Sequence, residues 1–263
     1  AEFRLAVMQD ARGAAAKYRP LVDYLRRSGI ETSIIAARSY RDAADQFATG
    51  RVDGMFSGSG LAGALLIKGL ADPAVRPEHP DGWSTYWAVV LAPKGSPRFT
   101  QDASYFAGKR VIFCSLASSG EFFYEAVRAG QELGATTRHA SSHGAAIDAL
   151  ARGQADVAIV KNRVWDGMKD RFSEIVRVGE DPGENPNGTL IIAKTADPAV
   201  VEQFTAALLA LEADDSPEAR AVKQSLGVSR YLPTGEDDFR FTLDLLERAG
   251  VDERFEFRFD QSD

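Results

Sequence analysis

The sequence predicts an α/β fold built from two similar lobes. Short apolar runs typical of buried strands alternate with segments of helical periodicity along most of the 263 residues. One order of helix, glycine and buried strand occurs twice, in YRDAADQFATGRVDGMFSG and in HGAAIDALARGQADVAIVK. The aspartates of the two copies, Asp53 and Asp156, are 156 − 53 = 103 residues apart, and the first strands of the two halves, at 3 and 110, are 110 − 3 = 107 apart. This near-constant offset favours two units of one topology over a chance likeness.

The first half contains three predicted strand–helix pairs. The strands are predicted at 3–8, 30–37 and 52–56, and the helices at 18–27, 40–48 and 61–70. The glycine-rich sequence SGSG lies between the third strand and its helix. Residues 71–82 are rich in Pro, Asp and Gly, so we predict a loop there, followed by a strand in WSTYWAVVLA (83–92).

The second half repeats this pattern and then extends it. Strands are predicted at 110–113, 134–139, 155–160 and 188–194, and helices at 119–128, 144–151, 197–211, 218–226 and 237–249. Residues 161–187 form a polar stretch without a predicted element. The terminal sequence FEFRFD alternates as an edge strand does.

The simplest division of the chain is discontinuous. Lobe one is predicted from residues 1–92 plus 190–263, and lobe two from 96–187, with hinges near 90 and 189. Open α/β sheets bind ligands at the loops that follow the carboxyl ends of their strands. We therefore expect a ligand cleft between the lobes, ligand-induced closure and a monomeric protein.

Composition excludes several classes of protein. The net charge of −7 and the dispersed Lys and Arg residues argue against nucleic acid as a partner. No apolar run approaches the roughly 20 residues of a membrane span. The single cysteine, Cys114, allows no intramolecular disulfide. The opening AEFRLAV is compatible with an exported protein whose signal peptide has been removed.

The sequence KRVIFCSLASSGEFFY (109–124) is the most informative stretch. It predicts a buried strand, a turn and a helix that begins near Ser118, Ser119 and Gly120. The first backbone N–H groups of a helix have no partner within the helix, and the helix dipole makes that end positive. Small hydroxyl residues at this point either cap the helix or, together with the N–H groups, bind an anion.

Together these features resemble the periplasmic phosphate/phosphite/phosphonate-binding proteins of ABC transporters, within the type II periplasmic-binding fold. The resemblance rests on the order of YRPLVDYL, GRVDGMFSGSG, Tyr86 followed by KGSP, the SSG turn and HGAAIDALARGQADVA, over about the first 200 residues. It implies a periplasmic or lipid-anchored protein that captures a small oxyanion for a transporter permease. The alternative is a sensor of the same fold, for arsenite or another oxyanion, that signals to a histidine kinase.

The resemblance also implies particular site residues. The family's anion loop falls on 117–120, its pocket aromatic on Tyr86 and its pocket histidine on His143. The first serine of that loop is replaced by Ala117, and the loop-one aromatic by Ser57. The acids that read a ligand amine in aminophosphonate binders fall on Arg163 and near Gly188, which implies an oxyanion site without its amine-reading part.

Each of these residues also has an ordinary structural interpretation. His143 could make a simple polar contact at a helix start, Ser57 could belong to a flexible turn, and Arg163 could be a surface charge or an oxyanion ligand. Cys114 is expected to be a small buried residue, with a thiol-seeking ligand such as arsenite as the alternative. The histidines lack metal-site spacing with Cys114, and SGSG lacks the partners of a serine nucleophile. We therefore predict no metal, no cofactor and no enzymatic activity.

Overall fold

The computed structural model describes residues 1–8, 14–114 and 118–257, which form two compact units. Unit 1 comprises Ala1–Ser84, Pro186–Phe239 and the described residues from Glu253 onwards. Unit 2 comprises Thr85–Asn185 and Arg240–Asp252. Within the described ranges, no helix has both the length and the apolar character needed to cross a membrane.

The elements alternate between strands and helices, as the sequence predicts. The strands are β1 (Glu2–Met8), β2 (Glu31–Ala37), β3 (Gly54–Ser57), β4 (Ala71–Glu78), β5 (Thr85–Tyr86), β6 (Ala88–Pro93), β7 (Arg110–Cys114), β8 (Thr136–Ala140), β9 (Val157–Lys161), β10 (Ile175–Glu180), β11 (Asn185–Pro186), β12 (Thr189–Ala193) and β13 (Arg230–Pro233). The helices are α1 (Ala14–Arg27), α2 (Tyr40–Ala48), α3 (Ser59–Ile67), α4 (Ser119–Arg128), α5 (His143–Ala151), α6 (Asn162–Met168), α7 (Pro198–Leu209), α8 (Pro217–Leu226) and α9 (Arg240–Arg248).

Each unit is built on one twisted sheet of the same plan. Unit 1 has the strand order β13-β4-β12-β3-β1-β2, in which β2 and β3 run parallel to β1 and β12 runs antiparallel to β3. Unit 2 has the order β10-β6-β9-β7-β8, in which β8 and β9 run parallel to β7 and β6 runs antiparallel to β9. The repeated sequence pattern therefore corresponds to a repeated topology.

The core of unit 1 lies between its sheet and helices α1, α7 and α8. Leu21 and Leu25, on one face of α1, are fully buried beside Phe3 of β1. The ring of Phe204 from α7 stacks on Phe3 with 3.8 Å between ring centroids. Apolar residues at helical spacing thus meet alternating residues of a strand, which is how each element buries its apolar side.

The core of unit 2 uses the same principle. Ile147 and Leu150 of α5 pack with Ile112 of β7 and with Val160 of β9. All four side chains are buried, and Trp165 of α6 adds an aromatic ring to the same cluster. The sheet of unit 2 is therefore held by helices that follow its parallel strands.

Two segments differ from the sequence-based expectation of a loop. Residues 71–78 form β4, whose Val75 is fully buried and which pairs antiparallel with both β12 and β13. Pro73 lies where the register with β12 shifts, a position where a residue without an N–H is tolerated in a sheet. The polar stretch 161–187 contains α6, β10 and β11. In the tail, residues 255–257 form no strand, and 258–260 lie outside the described residues.

The two units also differ in their bounds from the predicted lobes. Strand β6 and helix α9 lie in unit 2, whereas the sequence-based division assigns most of β6 and all of α9 to lobe one. The reason is tertiary pairing: β6 is hydrogen-bonded to β9 and β10, and α9 packs against α4. Sequence order alone gives no sign of either partner.

Candidate functional site

The carboxyl ends of the strands in unit 2 bring most of the predicted site residues to one edge of the sheet. Parallel β7, β8 and β9 end side by side, so the segments that follow them are neighbours. Antiparallel β6 begins opposite Lys161, which brings Tyr86 to the same edge. The carboxyl edge of unit 2, as we call it, consists of Tyr86, Ser118–Gly120, His143 and Lys161–Arg163.

Ser118 is the N-cap of α4. Its backbone is extended, with φ −71° and ψ 157°, and its Oγ accepts a hydrogen bond of 3.3 Å from the backbone N–H of Glu121. Ser118 is half-buried, whereas Ser119 is 6% exposed. The hydroxyl therefore has a structural role as a cap, and it lies beside the first N–H groups of a ten-residue helix.

Gly120 allows α4 to begin in direct contact with β9. A Cβ atom at this position would lie 2.9 Å from the carbonyl oxygen of Ile159 and 3.2 Å from its Cγ2. Any side chain would push the start of the helix away from the strand. The glycine of the SSG sequence thus sets the distance between the loop and the neighbouring strand.

A buried acid in the first turn of this helix is paired with a histidine of β8. Glu121 is 4% exposed, and its Oε2 is hydrogen-bonded to Nε2 of His139 on β8. This bond is the main reason that the pKa of His139 is raised above its ordinary value, against the opposing effect of burial. The sequence gives no sign of this pair, because Glu121 lies on α4 and His139 on β8, and only the packing of the helix on the sheet brings them together.

His143 is the first residue of α5. Its Nδ1 accepts a hydrogen bond of 3.2 Å from the backbone N–H of Lys161. Burial, and secondarily the charge of Lys161, lower the pKa of His143 to about 4. The ring is therefore neutral at physiological pH, and since Nδ1 is the acceptor, Nε2 carries the proton and can donate to a ligand.

Tyr86 and Lys161 contact each other at this edge. Tyr86 is 7% exposed, and Nζ of Lys161 lies 4.5 Å from the centroid of its ring. This is a cation–π distance. Lys161 has no signature in the sequence, because a lysine that ends a strand is most often a surface residue.

Arg163 is engaged with groups of unit 2. Its Nε and Nη2 donate hydrogen bonds of 3.1 and 2.8 Å to the carbonyl oxygen of Thr85, and its guanidinium lies 5.2 Å from the ring centroid of Trp87. The indole N–H of Trp87 in turn donates to Glu180 at 2.8 Å. These contacts show Arg163 holding the chain beside Tyr86, and they leave its predicted contact with a ligand untested.

Ser57 lies in unit 1. It ends β3, is 3% exposed, and its hydroxyl donates to the carbonyl oxygen of Gly58 at 2.9 Å. Ser59 is 1% exposed and begins α3. The SGSG sequence is thus a strand-to-helix turn at the carboxyl edge of the sheet in unit 1, which is the corresponding edge to the one in unit 2.

The remaining predicted positions are Cys114, Ala117 and Gly188. Cys114 is 9% exposed and ends β7. Ala117 lies outside the described residues. Gly188 has a φ of +42°. Among residues 1–8, 14–114 and 118–257, no group of acids, histidines and cysteine is arranged to hold a metal ion.

Comparison with known proteins identifies the family. The sequence model described as "ABC transporter, phosphonate, periplasmic substrate-binding protein" matches residues 3–239. The chain belongs to this family of phosphonate-binding periplasmic proteins. Its members are substrate-binding components of transporters rather than enzymes, which implies an extracytoplasmic location and a membrane permease as partner. A comparison with curated protein sequences finds no match.

Solved structures share the fold at low sequence identity. XAC2383 from Xanthomonas citri, bound to ATP, has a TM-score of 0.78 at 20% identity, with 95% of this chain and 97% of that chain covered. PhnD1 from Prochlorococcus marinus, in complex with methylphosphonate, has a TM-score of 0.72 at 14% identity, with 95% and 98% covered. A binding-protein component of an ABC phosphonate transporter from Pseudomonas aeruginosa has a TM-score of 0.71 at 15% identity, with 95% and 86% covered. The predicted two-lobed type II periplasmic-binding fold is confirmed.

Proposed function

We propose that this protein captures a small oxyanion of the phosphate, phosphite or phosphonate type, and that Ser118, Ser119 and Gly120 bind its oxygens. The observation that carries the proposal is the convergence at the carboxyl edge of unit 2. The start of α4 shares this edge with neutral His143 and with Tyr86, whose ring centroid lies 4.5 Å from the ammonium of Lys161. Backbone N–H groups and hydroxyls satisfy oxyanion lone pairs, and a nearby cation offsets part of the charge.

Family membership supports the same proposal from the sequence. PhnD1, which shares the fold, is in complex with methylphosphonate. XAC2383 holds ATP, so a phosphorylated ligand larger than phosphonate belongs in the same screen. None of the comparisons supports the alternative of a sensor that signals to a histidine kinase.

The test is calorimetric titration of the purified protein with phosphate, phosphite, methylphosphonate and ATP. We expect at least one of them to bind, and Ser118→Ala combined with Ser119→Ala to weaken that binding by roughly 2–4 kcal/mol, at about 1–2 kcal/mol for each lost hydrogen bond. Unchanged affinity in the double variant would exclude the loop as the binding site.

A matched control separates binding from helix capping. Ser216 caps α8 in unit 1 by accepting from the N–H of Ala219 at 3.2 Å. Ser216→Ala removes a cap of the same kind, so it should lower stability by about 1 kcal/mol without changing affinity. A loss of affinity in this control equal to that of the double variant would show that the effect is a general consequence of lost capping.

A further inference from the structure

Lys161 holds a position from which it can select among ligands. It ends β9, and Ile159, two residues earlier, is the residue against which Gly120 packs. The start of α4 and the side chain of Lys161 are therefore neighbours at one edge of the sheet. The backbone N–H of Lys161 is bonded to His143, and its ammonium lies over Tyr86.

The other charged groups at this edge have partners within unit 2. Arg163 is bonded to the carbonyl oxygen of Thr85. Glu121 is paired with His139, and Glu180 accepts from Trp87 and from Arg177. The charge that lies over the ring of Tyr86 is the ammonium of Lys161.

One more acid, Asp181, lies at the same end of the sheet but farther from Lys161. Its backbone N–H bonds to Ala88 of β6, and its Oδ1 accepts from the N–H of Gly183. Asp181 follows β10, Lys161 ends β9, and β6 lies between these two strands. The backbones of Asp181 and Lys161 are therefore about two strand spacings, or roughly 10 Å, apart. Asp181 is therefore poorly placed to attract a cationic group beside Tyr86.

A buried amide next to Lys161 adds a hydrogen-bond donor. Asn162 is 3% exposed, and its Oδ1 accepts from the backbone N–H of Trp87 at 2.9 Å. Its Nδ2 has no hydrogen-bond partner among the described residues. A buried donor without a partner is costly, and an acceptor on a bound molecule would remove that cost.

We propose that Lys161 reads a second anionic group on the ligand, so that the preferred substrates are oxyanions with an additional acidic substituent rather than an amine. This inference rests on the proposed function, because Ser118–Gly120 must hold the first oxyanion group. A carboxylate or second phosphoryl group near Lys161 and Nδ2 of Asn162 gains a charge-assisted hydrogen bond. An ammonium in the same place is repelled.

The experiment compares three phosphonates by calorimetry at pH 7.5. Methylphosphonate has no charged group besides its phosphonate, phosphonoacetate adds a carboxylate, and 2-aminoethylphosphonate adds an ammonium. We expect the wild-type protein to bind phosphonoacetate most tightly and 2-aminoethylphosphonate least tightly. Lys161→Gln should weaken phosphonoacetate binding about tenfold while changing methylphosphonate binding less than about threefold.

Two further variants keep the inference testable if Lys161→Gln folds poorly. Lys161→Arg retains the charge and should retain the preference, whereas Lys161→Glu should reverse it in favour of 2-aminoethylphosphonate. Lys169→Gln is the matched control, because Lys169 is an exposed lysine of unit 2 whose ion pair with Asp166 is 4.0 Å long. This control should leave all three affinities unchanged.

The outcomes separate this inference from the proposed function. If methylphosphonate binds but Lys161→Gln leaves the ratio of the three affinities unchanged, the role of Lys161 is wrong and the anion loop stands. The same holds if the wild-type protein prefers the ammonium-bearing ligand. If none of the phosphonates, nor phosphate, phosphite or ATP, binds at millimolar concentration, the proposed function fails and this inference fails with it.

Discussion

The first and third strands of each unit's parallel core are joined by the same arginine–aspartate arrangement. In unit 1, Arg4 donates to Asp53 from its backbone N–H at 2.7 Å, from Nε at 3.1 Å and from Nη2 at 2.9 Å. In unit 2, Arg110 donates to Asp156 from the same three groups at 2.8, 3.2 and 3.1 Å. The two arginines are 110 − 4 = 106 residues apart in the sequence, and the two aspartates are 156 − 53 = 103 apart. Corresponding positions of the two units therefore make the same side-chain hydrogen bonds.

The difference lies at the carboxyl ends of the same strands. Helices α2 and α5 are both capped by serine, yet α2 begins with Tyr40 and α5 with His143. At the carboxyl end of β3 stand Ser57 and Gly58, whereas the corresponding positions at the carboxyl end of β9 are Val160 and Lys161. The shared features are those that hold strands together, and the divergent ones lie where a ligand would bind. This contrast indicates that scaffold and site have been shaped separately.

The largest expected effect concerns His143, where unit 1 has a tyrosine. Its folded-state pKa of about 4 lies below the ordinary value of 6.5. The unfolded chain therefore binds the proton more readily, so stability is full above about pH 6.5 and falls as the pH drops toward 4. The loss amounts to up to about 3 kcal/mol, at 1.36 kcal/mol for each pKa unit.

Chemical denaturation at pH 7.5 and pH 4.5 measures this loss. His143→Gln keeps an acceptor for the N–H of Lys161 but cannot be protonated, so its stability should fall less between the two pH values. An identical slope in His143→Gln and wild type would contradict the assignment.

The second prediction compares the two aspartates. Asp53 has 10% of its side chain exposed and Asp156 has 40%. Asp53→Asn should cost about 2–3 kcal/mol of stability, because it leaves a part-buried guanidinium without its charged partner. Asp156→Asn should cost less, because solvent screens the exposed pair. Urea denaturation of both variants checks this ranking. A larger loss of stability for Asp156→Asn would show that solvent exposure does not set the relative strength of the two pairs.

The pH dependence of the exposed pair has a defined sign. The hydrogen bonds from Arg110 lower the pKa of Asp156 below its ordinary value. Its contribution to stability is therefore present above about pH 4 and is lost as the pH falls through the lowered pKa. That window lies below the one expected for His143, so the two effects can be separated in the same titration.

The smallest expected effect concerns Cys114, which occupies the position that Met8 holds in unit 1. Both residues end a strand, and they are 114 − 8 = 106 residues apart. Cys114→Ala should cost about 1 kcal/mol, as the loss of a small buried side chain does. We expect the wild-type protein to show no arsenite-dependent thermal shift under reducing conditions, because a single buried thiol gives trivalent arsenic one sulfur ligand. A shift that disappears in Cys114→Ser would instead support a thiol-seeking ligand.

Local patterns in the sequence determined the class of fold and the outline of the site. The helix–glycine–strand repeats and the SSG turn depend on near neighbours, so they can be predicted from periodicity and capping chemistry. The same patterns predicted that Ser118 would begin a helix that follows a buried strand, whereas Tyr86 and His143 became candidates through the family resemblance. Parallel pairing then brings the ends of such strands together without any further information.

Only the tertiary structure decided which strands pair and which side chains meet. Strand β4 was obscured by its prolines, and α9 belongs with α4 of unit 2 although it lies far from it in sequence. The contacts of Lys161 with Tyr86, of Glu121 with His139 and of Arg163 with Thr85 join residues separated by 18 to 78 positions. The physical reason is that charge, burial and hydrogen-bond partners depend on distance in space, and sequence periodicity describes only the few residues along one element.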